Sequence, residues 1–272
     1  MPEIDTFRRL LVLLALGLLS LAAMADPGQA GEALARQILE RPANDGRVGT
    51  MHFELINAAG RTRSRAALMA HSEAGREVRV AIYFTAPAAI QDTAFLSHDR
   101  PRAGDATWLY LPVTERVRRL PASERGDYFM GTDLTYGDIK DNFKFRLTDW
   151  HFRADGEADH DGRPHPVLLG TARSAEIERE TGYGGFRALV DPETWFPVVI
   201  EFADPDGAPL KRVTITEQGL VGDAWTALRF EVVQHQTGHT TRIRFEDMRH
   251  VPDLSPRVFD ANALAFGVPR IR

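Results

Sequence analysis

From residue 47 onward the chain is cut at short, regular intervals by turn-forming residues, and this punctuation limits the possible folds more than any other feature. Runs of roughly six to ten residues alternate with Gly, Asn, Asp and Pro turns, the spacing of an antiparallel meander. The candidate strands are 47–57, 61–70, 76–85, 92–97, 106–112, 116–120, 143–153, 165–173, 184–190, 195–203, 209–217, 225–235 and 239–247. Val78, Val80, Ile82 and Phe84 share one face against Arg79, Ala81 and Tyr83, while Ile243 and Phe245 oppose Arg242, Arg244 and Glu246. Hairpin turns are explicit in "NAAGR" at 57–61, "DHDGR" at 159–163, "DPET" at 191–194, "DPDG" at 204–207 and "QTGH" at 236–239.

Some strands are apolar on both faces, which a sheet with one wet side does not tolerate. "FPVVIEF" sets Phe196, Val198, Ile200 and Phe202 against Pro197 and Val199, and "WLYL" at 108–111 is apolar on both sides. A long sheet meets this by curling around its own interior while helix or loop covers part of its outer face. Residues 28–41, "GQAGEALARQILER", supply one amphipathic helix that Pro42 ends. The chain has no internal repeat, low-complexity linker or composition break, so residues 26–272 are expected to form one domain.

Residues 1–25 read as an export signal. Arg8 and Arg9 precede the apolar run Leu10 to Leu21, and Ala23-Met24-Ala25 offers small residues at the cleavage positions, so cleavage is expected after Ala25. That run is too short for a spanning helix, which needs roughly 20 residues. The exported chain is therefore expected in the periplasm. Cysteine is absent, which excludes disulfides, thiol catalysis, thiolate zinc sites and a lipidated Cys. A formal net charge of −5 argues against a nucleic-acid partner.

Residues 105–139, "DATWLYLPVTERVRRLPASERGDYFMGTDLTYGDI", carry a recognisable pattern. Trp108, Leu109, Tyr110, Leu111 and Pro112 are followed by Arg116, Val117, Arg118 and Arg119, then by Phe129, Met130, Gly131, Asp133 and Tyr136. This resembles the outer membrane lipoprotein-sorting protein family, the LolA-like periplasmic carriers often associated with RND-type transporters. "YFTAPAAIQDTAFL", "DPETWFPVVIEFADPDGAPLKRVTI" and "QTGHTTRIRFEDMR" extend the likeness along most of the chain. Two departures stand out: Gly137, where such sequences more often carry Glu, and an unusually charged tract at 155–161. The resemblance implies a mostly β fold with a helical lid (α+β), an incomplete antiparallel β-barrel of about eleven strands, LolA/LolB-like. It also implies a role in shielding acyl chains or lipidated cargo between an inner-membrane exporter and the outer membrane.

On that reading Trp108 and Tyr110, or Leu109 and Leu111, face a cavity, and a loop bearing Phe129, Met130, Leu134 and Tyr136 covers its mouth together with the N-terminal helix. Burying an acyl chain is worth about 0.8 kcal/mol per methylene, so a greasy slot holds one without catalytic machinery. An ordinary filled core explains the same residues equally well. Arg116, Arg118 and Arg119 suit lipid phosphates or an acidic partner, yet they also suit a solvated strand end that blunts edge pairing. "RTRSR" at 61–65 reads as an exposed strand, and His235 and His239 as solvent-facing.

His151, Asp155, Glu157, Asp159, His160, Asp161 and His165 crowd together but fit neither an EF-hand, which needs Gly where His160 falls, nor a scaffolded zinc site. A charged hairpin tip accounts for them. No G-x-S-x-G elbow is present. The leading expectation is a carrier without catalytic residues or cofactor; the alternative is a sensor or adaptor of the same fold that docks on a transporter or signalling partner through its arginines.

Overall fold

The computed structural model describes residues 26–75, 77–100 and 104–269. The expected export signal lies outside them. Helix α1 (Pro27–Leu39) is followed by β1 (Arg47–Ile56), β2 (Thr62–Ala74), β3 (Glu77–Ala86), β4 (Ala94–Asp99), β5 (Ala106–Leu111) and β6 (Arg116–Leu120). After a long connection holding the short helix α2 (Tyr136–Asp141) come β7 (Trp150–His160), β8 (Arg163–Ala172), α3 (Ala175–Thr181), β9 (Gly185–Val190), β10 (Pro197–Ala203), β11 (Pro209–Val221), β12 (Ala224–Gln234) and β13 (His239–His250).

All thirteen strands form one sheet in the order β6-β5-β4-β3-β2-β1-β13-β12-β11-β10-β9-β8-β7. Two meanders join where β1 pairs antiparallel with β13. The two edges, β6 and β7, are therefore consecutive strands in the chain. Laid flat, such a sheet would be roughly 58 Å wide, yet side chains from every strand meet in a single cluster, from Leu109 and Leu120 at one edge to Trp150 and Phe152 at the other. The sheet is bent round that cluster into an incomplete barrel, with two strands more than the resemblance implies.

The parity read from the sequence places Val80, Ile82 and Phe84 on the inner face. Ala81 and Tyr83, on the other side of β3, are buried as well. Residues 256–266, two turns of 3-10 helix, cover this outer patch with Val258, Phe259 and Leu264. The Tyr83 hydroxyl donates to the Val258 carbonyl at 2.9 Å, which satisfies its buried polar end.

Two expectations change. Residues 143–149 are not strand: Asn142 and Phe143 take φ of 47° and 60°, which breaks the extended run, and β7 starts at Trp150. The alternation of Phe143, Phe145 and Leu147 imitates a strand because all three pack against the inner cluster from a loop. In β10, a register shift between Pro197 and Val199 moves Val198 away from Ile200 and Phe202 to join Leu189 outside. Helix α3, capped by Ser174 and ended by Gly182, lies in the gap between the expected strands 165–173 and 184–190.

Helix α1 lies against β7 and β8 and puts Ala35 and Ile38 into the inner cluster. Gly31 allows the close approach, because a Cβ there would sit 2.6 Å from the backbone of Arg153. One edge of the sheet is thus covered by a helix, while the other, β6, exposes Arg116, Arg118 and Arg119. Gly31→Ala is expected to destabilise the fold by about 1–3 kcal/mol through this clash. Gly28→Ala, whose Cβ would meet only the Asp26 side chain at ordinary contact distance, should stay within about 0.5 kcal/mol. Urea titration of the two variants checks the difference.

Candidate functional site: a plugged inner face

Residues 121–149 connect the two edges of the sheet and run across its inner face. They fill that face as a plug. Phe129 is fully buried between Phe84, at 5.9 Å between ring centroids, and Phe95, at 5.3 Å edge-on. Tyr136 packs on Phe95 at 5.7 Å and on Phe129 at 5.6 Å. Farther along, Phe143 meets Phe230 edge-on at 5.0 Å, and Phe145 stacks on Phe186 at 3.9 Å. Edge-to-face and offset pairs of this kind add about 0.5–1.5 kcal/mol each beyond area burial.

The local conformation of the plug is encoded in its own residues. The Phe129 amide donates to the Leu134 carbonyl at 2.7 Å, and the turn between them carries Met130 at φ 49° and Gly131 at φ 72°. Two successive left-handed residues favour glycine at the second. Thr135 then caps α2 reciprocally: its hydroxyl accepts from the Asp138 amide and Asp138 accepts from the Thr135 amide.

Polar side chains peg this plug to the sheet. Lys211 on β11 is fully buried and donates to Asp138 Oδ2 at 2.5 Å and to the Asp133 carbonyl at 2.9 Å. The Tyr183 hydroxyl donates to the same carboxylate at 2.9 Å. Burial, and then the Asp138 charge, hold the Tyr183 phenol well above its ordinary pKa, so it remains a donor. Asp133 accepts from the Thr241 hydroxyl at 2.6 Å and meets the His239 ring at 2.9 Å. Arg65 on β2 reaches the Met130 carbonyl.

A second set of charges holds the far end of α2 to the ends of β4 and β5. Arg146 contacts Asp99, Asp105 and Asp141, Lys140 contacts Asp105, and Arg125 contacts Asp141 and Asp149. Four carboxylates face three cations in this network. The Asp99 carboxyl is pushed up to about 7, by burial first and then by its hydrogen bond with Asp105. Burial works on Asp105 in the same direction, but hydrogen bonds from Asp99 and Lys140 outweigh it and hold that carboxyl below the usual range.

Two hollows of about 50 Å³ each flank α2. One lies toward β9–β11, between Trp150, Tyr183, Ile200 and Phe202; the other lies toward β1–β3, between Arg47, Met51, Met69 and His71. Leu134, Asp138 and Phe143 border both. Each has room for a few waters, since one needs about 10–15 Å³ measured this way. Neither holds an acyl chain while the plug is seated.

The expected site residues separate accordingly. Phe129, Leu134, Met130, Tyr136 and Leu111 belong to the inner cluster or pack against it. Trp108 and Tyr110 do not: strand alternation turns both outward, beneath residues 256–266. Leu109 and Leu111 are the inward pair. Arg118 forms two bonds to Glu124 at 2.8 and 2.9 Å, and Arg119 reaches the Asp105 carbonyl at 3.4 Å. Arg65 and His239, expected at solvent, instead touch the plug. Lys211, Asp138 and Tyr183 were missed. The available signal was parity, since Lys211 shares the buried face of β11 with Val213 and Ile215.

A protein-family model described as "Uncharacterized protein" matches residues 76–265. Curated protein sequences yield no significant match. Among solved structures, a putative outer membrane lipoprotein-sorting protein domain from Vibrio parahaemolyticus is 26% identical, with TM-score 0.79, over 88% of this chain and 99% of that one. A DUF1329 family protein from Desulfovibrio piger shares the fold at 23% identity and TM-score 0.81, covering 88% of this chain and 100% of its own. A LolA superfamily protein from Nitrosomonas europaea does so at 20% identity and TM-score 0.63, covering 87% and 98%. The chain belongs to the family of uncharacterized proteins whose model spans residues 76–265, and its bent open sheet has the fold of these lipoprotein-sorting and LolA superfamily structures.

Proposed function

We propose that the protein is a periplasmic carrier that shields the acyl chains of a lipid or lipoprotein on its inner face, and that residues 121–149 occupy that face until cargo displaces them. One observation carries this reading: the greasiest surface of the sheet is covered by a chain segment whose own hollows run along both sides of α2. Lifting α2 and Phe143 would join the two hollows into one apolar trough. The cargo-contacting set is then Leu111, Phe129, Met130, Leu134 and Tyr136 together with the sheet residues beneath them. Phe, Met and Leu suit a wall that must adapt to different chains.

Passage from an inner-membrane transporter of the RND type toward the outer membrane fits an exported protein of this fold, and binding alone suffices for it. No helix among the described residues is long and apolar enough to cross a membrane. Arg116 and Arg119, exposed on the β6 edge, are the cations available to an acidic partner or a headgroup, whereas Arg118 is already engaged by Glu124.

Organic extraction of the purified protein, followed by mass spectrometry, should yield lipid, and a fluorescent acyl probe should be taken up in competition with it. A protein that carries no lipid and ignores the probe would overturn the carrier reading.

Removing one partner of a buried ion pair costs about 3–5 kcal/mol. Lys211→Met should therefore loosen the plug and raise the rate of probe uptake at least tenfold in stopped-flow measurements. Loss of overall stability with no faster uptake would count against displacement of the plug.

The charge network gives the exchange a pH dependence. Asp99 titrates above the ordinary carboxylate value of about 3.9, so its stabilising contribution is complete below that value and fades as pH rises through about 7. Probe uptake should be faster at pH 8 than at pH 6, and Asp99→Asn should remove most of that difference. The depressed Asp105 acts in acid and does not enter this window.

A further inference from the structure

The hollow toward β1–β3 is lined by two buried bases, Arg47 and His71. Arg47 and His71 are directly opposed on β1 and β2 and are 4% and 3% exposed. Arg47 donates to the Thr226 hydroxyl at 3.1 Å, but its Nε has no hydrogen-bond partner. Both ring nitrogens of His71 are also unpartnered. Buried polar atoms left in this state are costly, and each one requires an explanation.

Buried Arg41 and partly buried Lys144, which lines the other hollow, lie near them. Arg41 is 6% exposed, lies 4.1 Å above the Phe196 ring and donates to main-chain carbonyls of the plug, including that of Asn142 at 3.4 Å. Lys144 pairs with Glu73 at 2.6 Å. Among the described residues, Glu73 is the carboxylate whose charge acts on Arg41, Arg47 and Lys144. Asp138 also borders the hollow, but Lys211 and Tyr183 occupy its carboxylate.

Arg41, Arg47 and Lys144 thus share the charge of one carboxylate, Glu73. Burial lowers Arg41 to about 9 and Arg47 to about 10, and the Glu73 charge offsets this only in part. Burial, and then the charges of Arg47 and Lys144, keep His71 neutral, so its ring offers one donor. The lining also carries apolar side chains, among them Met51, Met69, Phe230 and Phe245.

We propose that this hollow seats a carboxylate or phosphate group, the head of an anionic amphiphile whose chain runs on along the methionines and phenylalanines. Arg47 supplies charge-assisted donors, His71 a neutral one, and Arg41 and Lys144 the surrounding field. The inference deepens the carrier reading and rests on it for the chain, though not for the anion. It makes the β1–β2 end of the trough the place where cargo is oriented, with its head at the bases and its tail toward β12 and β13.

The test compares palmitate, hexadecanol and inorganic phosphate as ligands of the delipidated wild-type protein by calorimetry. Palmitate and hexadecanol share one chain length and differ in head charge. Palmitate should bind at least about tenfold more tightly than hexadecanol, the worth of a charged hydrogen bond. Arg47→Met, checked for folding by circular dichroism, should bring the two alike, while Arg242→Met, at an exposed residue of β13 paired with Glu231, should leave the ratio unchanged. Equal affinities in the wild-type protein would overturn the headgroup site and leave the carrier reading intact. Binding of neither amphiphile would overturn the carrier reading, and the anion site would then stand only if phosphate still binds and Arg47→Met abolishes that binding.

Discussion

A bent sheet whose two edges are consecutive strands must send the chain back across its own open face, and the rest of the structure depends on that constraint. β6 and β7 stand at opposite ends of the sheet. The chain between them crosses the inner surface, where side chains from all thirteen strands already converge. Water is a poor neighbour for that surface, so the connecting segment becomes its cover. Phe129, Tyr136, Phe143 and Phe145 are the contacts by which it does so.

Apolar contact holds the plug but does not fix where it sits, because such attraction has no direction. Position comes from the polar pegs. Lys211 and Tyr183 converge on one carboxylate, Asp133 is held by Thr241 and His239, and Arg146 gathers three aspartates. A buried ion pair contributes little net stability but specifies one arrangement, since any other leaves a charge unpaired. A plug built in this way is well located and still removable. The Arg47 and His71 end is the exception, because its polar atoms face a hollow.

The strand succession was legible because alternation and turn chemistry are local. Twelve of the thirteen expected strands overlap observed ones in place, and the remaining one, 143–153, overlaps β7 only at its end. That segment misled because Phe143, Phe145 and Leu147 repeat with the period of a strand, while the positive φ at Asn142 and Phe143 that prevents one leaves little trace in sequence. The motif around Phe129 identified the covering loop. It could not say which of Trp108 and Tyr110, or Leu109 and Leu111, turns inward, since both faces of β5 are buried and burial is what apolar pattern reports.

By itself the sequence determined a curled antiparallel sheet and an N-terminal helix, because each follows from periodicity and turn chemistry within a few residues, while the aromatic loop over the inner face was legible only through the resemblance carried by residues 105–139. Only the tertiary structure decided that the inner face is already filled, that Lys211 meets Asp138 across the sheet, and that Arg41, Arg47 and Lys144 share one carboxylate. Those pairings join residues far apart in the chain. Their partners are set by how the whole sheet bends, and no local pattern records that curvature.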